Sequence, residues 1–344
     1  MTNLMGKYGR KRMELISQKM RKLAPELDPL RIGTGWKKED LAKVQVMVES
    51  TYGDSHPGSG HLNLLVEEVR KGIAEEGGYG ARYFCTDICD GESQGTDGIN
   101  YSLASREMIA NMIEIHANAT PFDAGVYLSS CDKGVPGNLI GMMRVDIPSV
   151  FVPGGTMNAG PDMLTLEQLG MYSARYERGE IDEAMLDWAK CNACPSCGAC
   201  SFIGTASTMQ IMAEALGLAL PGSALMPSTS PDLLAFAREA GRQAVRLAKM
   251  ENMKPSDIVT IKSFEMRFLS TRQSPEARTV CCIFRRSPMN WASRSPVKPL
   301  TGCTGTPGIF WMSVRQAGGR QNVSTMREAC RRSWKRSGNI CIWM

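Results

Sequence analysis

Four short apolar runs, each closed by a polar or glycine-rich loop and followed by a helix-like stretch, limit what this chain can fold into. They are Val44-Gln45-Val46-Met47-Val48, Arg82-Tyr83-Phe84-Cys85-Thr86, Ala124-Gly125-Val126-Tyr127-Leu128 and Pro148-Ser149-Val150-Phe151-Val152. Helical patterning is expected over 37–42, 62–76, from Ser102 or Ser105 to about 118, and over 138–144, 164–178, 181–190 and 208–218. Gly77-Gly78-Tyr79-Gly80 reads as a helix stop signal. Strands alternating with helices predict an α/β fold, a largely parallel sheet with flanking helices. In such folds ligands gather at the carboxyl ends of the strands. The loops carrying Asp54, Asp90, Cys131 to Lys133 and Gly154-Gly155 are therefore expected along one edge.

The pattern fails after Glu265. From Met266 to Met344 there is no Asp, and the only acids are Glu276 and Glu328. Arginines, Trp291, Trp311, Trp334 and Trp343, and five further cysteines crowd that stretch. The formal net charge of +5 over 344 residues comes from this tail. The earlier part is acidic to neutral, so no nucleic-acid partner is expected. Twelve cysteines would suit a secreted disulfide scaffold. However, the start of the chain is polar and basic with no apolar leader core, so a cytoplasmic setting is expected, where clustered Cys signals metal or redox chemistry. No apolar run reaches the roughly 18 residues of a membrane span, so no membrane partner is expected.

Three clusters carry chemistry. In Ser130-Cys131-Asp132-Lys133-Gly134 a soft thiolate, a hard carboxylate and an amine stand in a row where a strand runs out. Thiolates hold iron–sulfur clusters and carboxylates suit Mg²⁺. The alternative is a buried Cys followed by a surface ion pair. In Cys191-Asn192-Ala193-Cys194-Pro195-Ser196-Cys197-Gly198-Ala199-Cys200, four Cys at C-x₂-C spacing signal metal or a cluster. Zinc would want a second knuckle, and none follows before Glu265. Asp90-Gly91, with Gly95 and Gly98, puts a carboxylate on a glycine loop, a cation-ligand candidate or an ordinary turn. Pro153-Gly154-Gly155-Thr156 is either an anion cradle or a plain strand-to-helix turn. His56 and His61 flank a glycine turn and are candidates to touch the site; His116 reads as core or surface.

Five motifs in order resemble the dihydroxy-acid and sugar-acid dehydratases, which include 6-phosphogluconate dehydratase. They are GDSHPGSGHL (53–62), CDGESQGTDGINYSLASRE (89–107), SSCDKGVPGNL (129–139), FVPGGTMNAG (151–160) and CPSCGACSFIGTASTM (194–209). The resemblance implies a hydro-lyase that converts a 2,3-dihydroxy acid to a 2-oxo acid, using an Fe–S cluster as Lewis acid and Mg²⁺ to hold the carboxylate and 2-hydroxyl. It implies Cys131 and Cys200 as cluster ligands. It implies Asp90, Asp132 and a carbamylated Lys133 as Mg²⁺ ligands. Its small-molecule partner would be a dihydroxy acid of branched-chain amino acid biosynthesis or a sugar acid, and a homodimer or tetramer is implied. Many members carry a further cluster cysteine where this chain has Gly58. The cluster is thus [2Fe–2S] or [4Fe–4S], with Cys197 or Cys194 as compensating thiols. An alternative is a non-catalytic Fe–S or zinc-binding module using Cys191 to Cys200.

The resemblance stops at Ile261-Lys262-Ser263-Phe264-Glu265. Back-translating Ser270 to Thr279 and shifting the frame by one base yields HAAISGST, a segment the family carries next. Residues 1–36 are therefore expected as a lead-in and 37–265 as the α/β Fe–S and Mg²⁺ domain. Residues 266–344 are expected as an out-of-frame, disordered tail following a one-base loss. The family's β-rich C-terminal domain, which the resemblance implies to carry another Mg²⁺ carboxylate and the general-base serine, would then be missing and the chain inactive as written.

Overall fold

In the computed structural model, which describes residues 14–201 and 204–260, the chain runs α1 (Ile16–Leu23), α2 (Leu27–Gly33), β1 (Val44–Ser50), α3 (Leu62–Glu75), β2 (Gly78–Phe84), α4 (Asp90–Ser93), α5 (Ser102–Ala119), β3 (Ala124–Ser129), α6 (Gly134–Val145), β4 (Ser149–Pro153), α7 (Leu169–Glu177), α8 (Glu183–Asn192), α9 (Thr205–Ala215), α10 (Pro231–Leu247) and α11 (Pro255–Ile258). The expected tail from Met266 lies outside the described residues, as does the start of the lead-in.

The four strands form one parallel sheet in the order β2-β1-β3-β4. Alternation along β1 explains the layering. Val44, Val46 and Val48 face one side, where they pack with Leu65, Val66 and Val69 of α3 and Leu233, Ala237 and Ala244 of α10. Met47 faces the other side, with Ile109 and Ile113 of α5, Leu139 and Ile140 of α6, and Met209 and Met212 of α9. Both faces are covered, so β1, β3 and β4 are buried throughout, as parallel strands require. The connection from β1 runs to one side of the sheet and that from β3 to the other. The connections after β1 and β3 therefore leave the sheet on opposite sides, a switch point of the kind at which such folds bind ligands.

Two elements differ from the sequence reading. Gly78 and Gly80 belong to β2, not to a stop signal; only Gly77, at φ +80°, turns the chain out of α3. The reason is close packing. A β-carbon at Gly78 would lie 2.7 Å from Val245 Cγ2 and 2.9 Å from Ile73 Cγ2. Helix α6 starts at Gly134 rather than 138, so Lys133 is its N-cap residue and the Cys131–Lys133 tripeptide leads directly into a helix N-terminus.

A pair between buried Glu49 on β1 and part-buried His116 on α5 makes a pH-dependent contribution. His116 Nδ1 lies 2.9 Å from Glu49 Oε2, and the imidazole stacks on Tyr83 at 4.3 Å between ring centres. Burial pushes the Glu49 carboxyl up, and the hydrogen bond to Glu49 pushes His116 up. Both groups hold more proton folded than unfolded. The histidine's share of stability is complete below its ordinary 6.5 and is lost as pH rises through the raised value. Denaturant unfolding at a series of pH values is expected to show stability falling from mildly acidic to alkaline pH, with a smaller fall in His116→Gln. Equal slopes in the two proteins would remove the pair from this role.

Candidate functional site

The loops after β1, β2 and β3 meet at one end of the sheet. Ser130 Oγ donates to the Gly58 carbonyl and ties the β3 loop to the β1 loop. Lys133 pairs with Asp90 Oδ2, tying the β3 loop to the β2 loop, while Ser102 Oγ donates to Asp90 Oδ1 at 2.7 Å. Asp132 Oδ1 accepts from the Ala206 amide at 2.9 Å, at the N-terminal turn of α9, where a negative charge is favoured. Burial pushes the Asp132 carboxyl up; Lys133 opposes that and Asp90 reinforces it. Two carboxylates and one amine therefore share a partly buried corner.

Thiols occupy the adjoining corner. Cys131 is buried and Cys89 half-buried. The hydrogen bond between them holds the Cys89 thiol down to about 6 and pushes Cys131 up. His56 Nε2 lies 3.1 Å from Asp87 Oδ1 and 3.1 Å from Ser59 Oγ. Burial works to lower the His56 pKa, but Asp87 outweighs it and raises it. Burial raises Asp87 as well.

The Cys191–Cys200 run reaches this end through backbone pairing. The Gly198 amide donates to Pro57 O at 2.8 Å, and Met157 N to Ala199 O at 2.7 Å. Cys191 and Cys194 are exposed, and Cys197 and Cys200 are half-buried. Burial, followed by the Asp132 charge, pushes the Cys200 thiol up to about 12.

Residues 43–269 match the model of the dihydroxy-acid/6-phosphogluconate dehydratase N-terminal family. The chain belongs to this family. A dihydroxy-acid dehydratase of Nitratidesulfovibrio vulgaris strain DP4 is 40% identical over 236 residues, which is 67% of this chain and 42% of the relative. One of Akkermansia muciniphila is 35% identical over 249 residues, 71% of this chain and 44% of the relative. One of Hydrogenobaculum is 39% identical over 260 residues, 74% and 46% respectively. The chain thus spans less than half the length of these curated relatives.

In this dehydratase N-terminal domain, Asp90, Asp132 and Lys133 come together and Cys131 adjoins them. Gly154-Gly155 is a turn and not an anion cradle: the Gly154 amide is used by Ser129 O at 3.0 Å, Gly155 by Gln210 Oε1 at 3.1 Å, and Thr156 by Met226 O at 2.9 Å. His61 donates from Nε2 to Gly154 O at 2.6 Å and braces that turn. The Cys191–Cys200 run does not close into a four-thiolate knot. Among the described residues, the group of three or more His, Cys and acidic side chains close enough together to hold a metal ion is His56, Cys89 and Cys131. Sequence reasoning passed over Cys89 and Asp87. The signal for Cys89 was its place beside Asp90, after a strand that flanks β1 on the side opposite the strand that delivers Cys131. No helix among the described residues is long and apolar enough to cross a membrane.

Proposed function

We propose that this chain forms the cofactor-holding half of a hydro-lyase that takes water from a 2,3-dihydroxy acid to give a 2-oxo acid. One observation carries the reading: a soft donor set around Cys131 abuts a hard donor set of Asp90, Asp132 and Lys133 at the carboxyl edge of a parallel sheet. The residues fit the two groups the family implies. Asp90 and Asp132 supply carboxylate oxygens for Mg²⁺, and Lys133, once carbamylated, a third. Cys131 and Cys200 supply thiolates for an Fe–S cluster. When bound, these groups supply Lewis acidity toward substrate oxygens.

The chain's own residues position the donors. The Ala206 amide fixes the Asp132 oxygen, Ser102 orients Asp90, and Lys133 offsets the paired carboxylates until a cation arrives. The substrate is proposed to be a short dihydroxy acid, with 2,3-dihydroxy-3-methylbutanoate the first to test; the relatives named above are dihydroxy-acid dehydratases. Sugar acids are the comparison substrates. The absence of disulfides among the described cysteines suits a reducing, cytoplasmic setting.

The residue that takes the 2-position proton is assigned to a C-terminal domain encoded in the shifted frame after Glu265. The chain as written is accordingly proposed to be inactive, on the strength of the composition change at Met266. The test is to reconstitute two proteins with iron, sulfide and Mg²⁺: this chain, and a frame-restored version. Formation of 2-oxo acid is expected from the restored protein only. If the restored protein loads both groups yet dehydrates no dihydroxy or sugar acid, the reading is wrong.

A further inference from the structure

We infer that His56, Cys89 and Cys131 ligate a single metal centre, with Cys89 supplying the thiolate that Gly58 does not. Each residue comes from a different loop, after β1, β2 and β3 respectively. One ligand atom of each lies within 4.8 Å of the other two. Metal–sulfur bonds of about 2.3 Å and metal–nitrogen bonds of about 2.0 Å place tetrahedral ligands roughly 3.5–3.8 Å apart. Closing the present spacing to that range needs side-chain movements of about an ångström.

The state of His56 is the second observation. Its side chain is buried, and its Nε2 faces the Asp87 carboxylate. Its Nδ1 is buried without a hydrogen-bond partner. A buried ring nitrogen left unsatisfied is costly. Metal-ligating histidines characteristically donate their other N–H to a carboxylate, which fixes ring and tautomer. With Nε2–H on Asp87, the Nδ1 lone pair is the one presented to a metal.

Gly58 is the third. A β-carbon there would lie 2.9 Å from Cys131 Sγ and 3.0 Å from His56 Nδ1. The space left by the missing side chain lies between two of the proposed ligands. A side chain at position 58 would have occupied the centre's own corner. With glycine there, the loop after β2 brings Cys89 to the same place. Cys194 is exposed, and Cys197 stands by Gly60, with Sγ 3.8 Å from a β-carbon built there, so neither takes part in the group.

The inference deepens the proposed function and rests on it for one thing, that the centre is the iron–sulfur cluster; the ligand set does not depend on it. Two probes separate the two. Co²⁺ alone reports thiolate ligation by its charge-transfer absorption, and anaerobic iron with sulfide reports cluster assembly by iron and sulfide content. In the full chain, Cys89→Ser and His56→Gln are each expected to weaken Co²⁺ binding by about tenfold or more. Cys89→Ser is expected to lose the cluster, and Cys191→Ser to match the parent in both. A measurement without substitution guards against misfolded variants: in the parent chain, Co²⁺ is expected to slow iodoacetamide labelling of Cys89 but not of Cys191. If Co²⁺ leaves Cys89 labelling unchanged, or Cys89→Ser binds Co²⁺ and assembles the cluster like the parent while Cys131→Ser and Cys200→Ser do not, the inference falls and the proposed function stands. If the Cys89 and His56 variants lose Co²⁺ but the parent takes up no sulfide, the ligand set stands and the cluster reading falls.

Discussion

Asp132→Asn is expected to weaken divalent-cation binding by at least about tenfold, about 1.4 kcal/mol, and to leave the fold intact. The two halves of that expectation have different physical origins. Asparagine keeps an oxygen that can accept the Ala206 amide, a bond of 2.9 Å in the parent, so the contact between the β3 loop and α9 survives. What disappears is a negative charge in a corner shared with Asp90. Burial already disfavours the ionised form of Asp132, and Asp90 adds to that. A cation relieves both costs at once. The amine of Lys133 does part of this in the cation-free protein through its pair with Asp90. Isothermal titration with Mn²⁺ as the Mg²⁺ substitute, beside thermal unfolding of both proteins, tests the expectation. Unchanged Mn²⁺ affinity in Asp132→Asn would take this carboxylate out of the site.

Gly72→Ala is expected to destabilise the domain by about 3 kcal/mol, the upper end of the usual overpacking range. A β-carbon at Gly72 on α3 would lie 1.8 Å from the carbonyl oxygen of Arg238 on α10. The contact is reciprocal: one at Gly241 on α10 would lie 2.1 Å from Val69 O on α3. The obstructing atoms are helix backbone, so no rotamer change makes room. The two helices must separate, and together they cover the valine face of β1. Gly170→Ala is the control, because nothing lies within 4 Å of a β-carbon there and it sits in helix α7. It is expected to be neutral or to stabilise by up to about 1 kcal/mol through helix propensity. Urea unfolding of the three proteins decides the matter; a Gly72→Ala midpoint equal to the parent's would mean the helices are not held this closely.

The strand ends were legible because each apolar run is short and stops at residues that packing does not require. Cys131, Asp132, Lys133 and Asp90 were found that way, and the structure places them at one end of the sheet. The glycines of 77–80 were misread because a glycine in a strand and a glycine ending a helix look alike in sequence. What separates them is the approach of Val245, some 167 residues away in the chain (245 minus 78). Helix α10 went unread for a related reason. Its buried face is largely Ala237, Ala240, Gly241 and Ala244, too small to form an apolar stripe, although its Ser230-Pro231-Asp232 start is a capping signal. Cys89 was overlooked because it reads as the first letter of a turn. Its neighbour Cys131 is 42 positions on (131 minus 89), and only the parallel pairing of β1 with both β2 and β3 brings the two loops together.

The central claim is that a soft metal centre and a hard one share the end of this sheet, joined through Cys131, Asp132 and Lys133. The most direct measurement is the electron paramagnetic resonance spectrum of Mn²⁺ bound to the reconstituted chain, before and after reduction of its iron–sulfur cluster. Adjacent sites predict Mn²⁺ lines that broaden and relax faster when the cluster becomes paramagnetic, with the bound signal lost in Asp132→Asn. Tightly bound Mn²⁺ whose spectrum is unaltered by cluster reduction and by Asp132→Asn would contradict it.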